Sequence, residues 1–144
     1  MTDGGPVLVE IAARTNGNSH PEFHNACMGA NQADLVAMAA VRPGAFVEEF
    51  SGKVYRKQAE AMVHNTTTEL AGEVGEVDQD AVAAISSLET VFRVSVKLSA
   101  GERIRPTTDL STSPLRIFMT GSPEALQRDC RRIQEIKDQV FLLS

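Results

Sequence analysis

Apolar positions recur in two rhythms along the chain, and the changes of rhythm mark its elements. Val7–Ile11 is a continuous β-branched and Leu-rich run, the pattern of a strand covered on both faces. Thr15 to Glu22 is rich in Asn, Gly, Ser and Pro and reads as loop. From His24 to Ala40, Ala26, Ala30, Ala33, Val36, Ala37 and Ala40 fall at helical spacing, with Gly29 splitting a short helix from a longer one. Arg42-Pro43-Gly44 then stops the helix. Residues 46–57 are ambiguous.

Beyond them the pattern sharpens. Lys57–Asn65 alternates as a strand, and Thr66–Val77 reads as a second strand or a turn-rich return. Asp78–Leu88 predicts a short amphipathic helix with an acid at its start. Val91–Leu98 predicts a strand with Phe92, Val94, Val96 and Leu98 on one face and Arg93, Ser95 and Lys97 on the other. Leu115–Thr120 is a further strand. Ser122-Pro123-Glu124 is a helix start, with Ser as the cap, Pro in the first turn and an acid at the positive end of the dipole. That helix runs to about Asp138 with Leu126, Cys130 and Ile133 inward, and Val140–Leu143 closes as a short strand. Residues 46–144 thus read as a small β-β-α-β-β-α subdomain of the α+β class. Residues 1–45 read as strand, loop and helix at the end of a larger sheet, because a strand buried on both faces needs neighbours.

Composition narrows the classes. The chain has 144 residues, 42% hydrophobic and 23% charged, enough for a packed core and unlike a disordered chain. A net charge of −5, no Lys/Arg run, one Tyr and no Trp argue against a nucleic-acid surface. No apolar stretch is long enough to span a membrane, and no export leader is evident. Cys27 and Cys130, far apart and without Cys-x-x-Cys spacing, fit reduced thiols in a cytoplasmic protein.

The chemistry concentrates near the start. Glu10 sits in the β-branched run, where a carboxylate is costly to bury without a cation. If Val7–Arg14 is extended, Glu10, Ala12 and Arg14 share a face, with the two charges about 13–14 Å apart at ~3.4 Å per residue. Such a pair can flank a polyphosphate, the acid on Mg²⁺ and the guanidinium on an anion. The plainer alternative is an edge-strand acid and a solvated Arg. His20 and His24 have a metal-like spacing broken by Pro21, and no third ligand accompanies them. Ser19 lacks the turn of a nucleophile. Pro106–Asp109 is either a functional loop or a turn.

Gly-Pro-Val-Leu-Val-Glu-Ile-Ala-Ala-Arg, residues 5–14, resembles the last sheet strand of the ATP-grasp fold, in carboxylate–amine ligases of the L-amino-acid ligase type. The resemblance continues through Gly29-Ala-Asn-Gln-Ala-Asp-Leu, Arg42-Pro-Gly, Asp109-Leu-Ser-Thr-Ser-Pro and the closing helix 122–139. It implies the C-terminal part of an ATP-grasp fold and the chemistry of acyl-phosphate formation from ATP followed by attack of an amine. It assigns Glu10 to Mg²⁺, Arg14 to the acyl-phosphate, and Thr15, Asn16, Gly17 and Asn18 to the substrate pocket. Where many members carry an Asn metal ligand two residues after the Glu, this chain has Ala12. Mg²⁺ and ATP belong to the complete enzyme. The chain by itself is expected to bind neither and to be inactive, its partners being an upstream ATP-grasp half or a second copy, with small carboxylate and amine substrates. The competing expectation is a non-catalytic α+β module that binds a small ligand or dimerises.

Overall fold

The computed structural model describes residues 4–5, 14–15, 17, 20–53 and 57–144. Val7–Ile11, the strand read from the sequence, lies outside the described residues. The chain divides into two compact units, Met1–Arg56 and Lys57–Ser144.

The first unit holds three short helices, α1 (Pro21–Met28), α2 (Gln32–Val41) and α3 (Pro43–Phe50). Phe23 and Cys27, one turn apart on α1, are its buried face. Gly29 ends α1 in the left-handed conformation at φ 73°, and its N–H donates to the Asn25 carbonyl. The sequence reading made Arg42-Pro43-Gly44 a stop. The helix does stop there, with Arg42 as the C-cap of α2, and Pro43 then opens a further helix, α3, at the position where its missing N–H costs nothing. One helical turn into α3, the rings of Phe46 and Phe50 pack with centroids 5.2 Å apart.

The second unit is α+β. Its elements are β1 (Glu60–Asn65), β2 (Gly72–Val77), α4 (Gln79–Ser86), β3 (Val91–Val96), β4 (Arg103–Ile104), β5 (Leu115–Gly121), α5 (Pro123–Ile136), a 3-10 turn (Lys137–Val140) and β6 (Phe141–Leu143). Two antiparallel sheets form, in the orders β1-β5-β3 and β4-β2-β6. The expected β-β-α-β-β-α order therefore gains the two-residue β4, besides the closing strand. Ile117 and Met119 of β5, Val74 of β2, Ile85 of α4 and Ile133 of α5 are fully buried in one core. Among the described residues no helix is long and apolar enough to cross a membrane.

The helix starts follow the sequence closely. Asp78 accepts the N–H groups of Asp80 and Ala81, and the Ser122 hydroxyl accepts that of Ala125. β3 departs from its simple alternation. The register shifts between Val91 and Arg93, so Val91, Val94 and Val96 pack on the core while Phe92 is exposed. A bulge inserts one residue and moves everything before it to the other face.

β5 ends against the residue before β3. Gly121 has φ 155°, and a Cβ there would stand 2.9 Å from Thr90 Cγ2. The side chain cannot give way, because Thr90 donates its N–H and hydroxyl to Asp129 at 3.0 and 2.9 Å. Gly121→Ala is expected to cost about 1–3 kcal/mol, as overpacking does. Thr90→Ser, which deletes the clashing methyl and keeps the hydroxyl, should recover part of that loss in the double variant. Thermal unfolding of the two singles and the double measures the coupling.

Candidate functional site around Arg14 and the loop into α1

Arg14, Thr15 and Gly17 are described and exposed, whereas Glu10, Asn16 and Asn18 lie outside the described residues. The Arg14 guanidinium donates through Nη1 to the Thr15 carbonyl at 3.1 Å. A Cβ on Gly17 would sit 3.8 Å from the same Nη1, an ordinary contact. Gly17 therefore lies beside the guanidinium. With one N–H spent on the backbone, the fork keeps donors for a planar anion such as a carboxylate or a phosphate face.

The loop leads into α1, whose cap is His20. Its Nδ1 accepts the Phe23 N–H at 3.3 Å, so the ring presents a lone pair there. His24 instead lies beside the Phe23 ring, centroids 6.2 Å apart. The two histidines have separate structural duties. Among the described residues no three His, Cys, Asp or Glu side chains converge as a metal site.

The Gly29–Leu35 motif is a helix start. Asn31 is buried; its Oδ1 accepts the Asp34 N–H at 3.0 Å, and its Nδ2 donates to Asn25 Oδ1 at 3.0 Å and Asp34 Oδ2 at 2.7 Å. One amide thus joins the end of α1 to the start of α2. Asn31→Ala is expected to cost about 1 kcal/mol, the usual loss of a cap. Asn31→Asp keeps the acceptor but loses the donors and sets a second carboxylate against Asp34, so urea unfolding should find it no better.

In the second unit, the loop Pro106–Asp109 is built by turn chemistry. Asp109 Oδ1 accepts from the Ser111 hydroxyl at 2.7 Å and from the Ser111 and Thr112 N–H groups at 2.9 and 3.0 Å. The Ser111 hydroxyl first, then the Thr112 amide and hydroxyl, hold its carboxyl below the usual carboxylate range. Cys130 faces the Met62 and Met119 sulfurs at 3.4 and 3.9 Å. Burial, with the Asp129 charge second, pushes its thiol up, the opposite of what a nucleophile needs.

Sequence reasoning passed over a basic cleft. Lys97, Arg103 and Arg105 line a cavity of about 270 Å³ together with Ser111, Thr112 and Ser113. The signal was present as three cations within nine residues, on both sides of the Ala100-Gly101 turn.

No family model matches this chain, and no solved structure matches it. It is similar to dapdiamide A synthase of Enterobacter agglomerans, with 27% identity over 150 residues. The alignment takes in 99% of this chain but 34% of the synthase, so the chain spans about a third of the length of the curated relative it matches.

Proposed function

We propose that these residues form the C-terminal part of an ATP-dependent ligase that joins a carboxylate to an amine. The observation that carries the reading is the likeness to dapdiamide A synthase along 99% of the chain, which supports a ligase-related part. The ATP-grasp resemblance of residues 5–14 supplies the finer assignment. In it, Glu10 is a ligand of the Mg²⁺ on the nucleotide phosphates, and Arg14 lies against the acyl-phosphate.

The work asked of these side chains is electrostatic. Acyl-phosphate formation spreads negative charge over the transferred phosphoryl group, and positioned cations lower that barrier. When bound, Mg²⁺ neutralises phosphate charge. Arg14, exposed on a loop and forked, can follow the phosphoryl oxygens and the carboxylate. One carboxylate does not hold Mg²⁺–ATP tightly, so the remaining ligands come from residues outside these 144.

The test is calorimetric titration of Mg²⁺–ATP into the 144-residue protein, repeated with an upstream ATP-grasp half added. Saturable binding and amino-acid-dependent ADP release are expected only in the mixture, and both should need Glu10. Tight binding to the 144 residues alone, lost in Glu10→Gln, would overturn the incomplete-site reading. A second reading, a non-catalytic module, is favoured by one observation: residues 57–144 carry a complete core of their own. Under it, Glu10→Gln changes nothing in either titration.

A further inference from the structure

We propose that the cleft between β3, β4 and the loop before β5 is an anion site that takes a phosphate group through Lys97, Arg103 and Arg105. The inference is independent of the ligase reading, since it uses none of residues 5–18. Arg103 and Arg105 stand two apart in an extended segment with Ile104 buried between them, so both guanidinium groups leave from the solvent side. Lys97, the residue after β3, is fixed by donating through Nζ to the Leu110 carbonyl at 2.9 Å. Its backbone N–H is tied to the Pro114 carbonyl at 2.9 Å.

The charges are not neutralised by the protein. Among the described residues neither the Arg103 nor the Arg105 guanidinium makes a hydrogen bond or an ion pair. Glu73 faces Arg103 across the β2–β4 register without forming one. Glu102 turns its carboxylate onto the Ser99 N–H at 2.6 Å. Asp109 has turned its Oδ1 into its own turn. Partial burial, and then the positive charge of Arg116, lower the pKa of Lys97. A chain of net charge −5 that concentrates three cations around one cavity has built a positive local field against its overall sign.

Phosphate suits the cleft better than carboxylate. Its dianion meets more of the charge, and its tetrahedral oxygens can take a donor from each of three directions. Free phosphate and the phosphoryl end of a larger metabolite share this chemistry.

The experiment is a ¹H–¹⁵N NMR titration of the 144-residue protein at constant ionic strength. Inorganic phosphate, glycerol 3-phosphate and acetate are run in parallel. Saturable shifts are expected at the amides of Lys97, Arg105 and Ser113, with phosphate at least about tenfold tighter than acetate. Glycerol 3-phosphate binding as tightly as phosphate assigns a phosphorylated metabolite; binding tenfold weaker assigns the free ion; either supports the site. The double variant Arg103→Gln/Arg105→Gln should weaken phosphate at least tenfold with an unchanged melting curve. Arg105→Glu alone should do the same if the double variant folds poorly. Shifts that never saturate, equal affinity for acetate, or unchanged binding in both variants would overturn the proposal.

Discussion

Under the proposed ligase reading, Glu10→Gln is expected to lower amino-acid-dependent ADP release, once the upstream half is supplied, by at least about 100-fold. The substitution keeps length and one oxygen but removes the charge that, in this reading, holds a hard cation. Even residues that merely orient metal ligands are typically worth 10–100-fold in affinity or activity, so a direct ligand should exceed that. The loss should fall on kcat and on the Mg²⁺ requirement together, and raised Mg²⁺ should rescue part of it. Arg14→Lys separates the two charges of the site. It keeps a cation but loses the planar fork, so kcat should fall while Mg²⁺–ATP affinity stays near its original value. Equal rates in Glu10→Gln and the parent protein would remove the metal assignment.

Asp129→Ala is expected to destabilise the 57–144 unit by about 2–4 kcal/mol at neutral pH, because several donors lose one buried acceptor. Asp129 is 3% exposed. Its Oδ2 takes both the N–H and the hydroxyl of Thr90, and its Oδ1 takes Arg128 Nε at 3.0 Å. Burial pushes its carboxyl up, but the Thr90 amide and hydroxyl, with Arg128, outweigh it and leave it below the ordinary carboxylate value. The sign follows from that direction. A depressed folded value means the contribution is complete above the unfolded value, about 3.9, and is lost as pH falls through the folded one. The gap between parent and variant should therefore be constant from pH 7 to about 5 and narrow only below about 4. Urea midpoints across that range check it. A gap under about 0.5 kcal/mol at pH 7 would show the acid to be incidental.

Local chemistry was legible in the sequence, and geometry that depends on distant partners was not. Asp78, Ser122 and Pro123 announced their helices because a cap is satisfied within three residues. The inward face of α5 was readable for the same reason, and the structure adds Ala125 and Ile136 to it. The stop at Arg42-Pro43-Gly44 was legible, but not the helix that follows it, since a proline that ends one helix is equally suited to open the next. Phe92 was assigned to the core face because alternation assumes an unbroken ladder, and the bulge that displaces it exists only in pairing with β5. At the candidate site, Arg14 stood out as a cation closing an apolar run, and the structure finds it exposed and donating to the Thr15 carbonyl. The basic cleft was not legible. Its cations come from the end of β3 and from β4 and the residue after it, and only the folding back of the chain around Gly101 brings them to one cavity.

The contact of Gly121 with Thr90, itself held by Asp129, limits how this sequence can drift. Three positions spread over 40 residues are read together: a bulkier residue at 121 needs a smaller one at 90, and a residue at 90 without a hydroxyl takes one of its donors from the buried acid at 129. Acceptable spellings are then reached through paired changes, and most single steps away pass through a weakened protein. Relatives that share this corner and carry a residue larger than glycine at 121 should carry one smaller than threonine at 90.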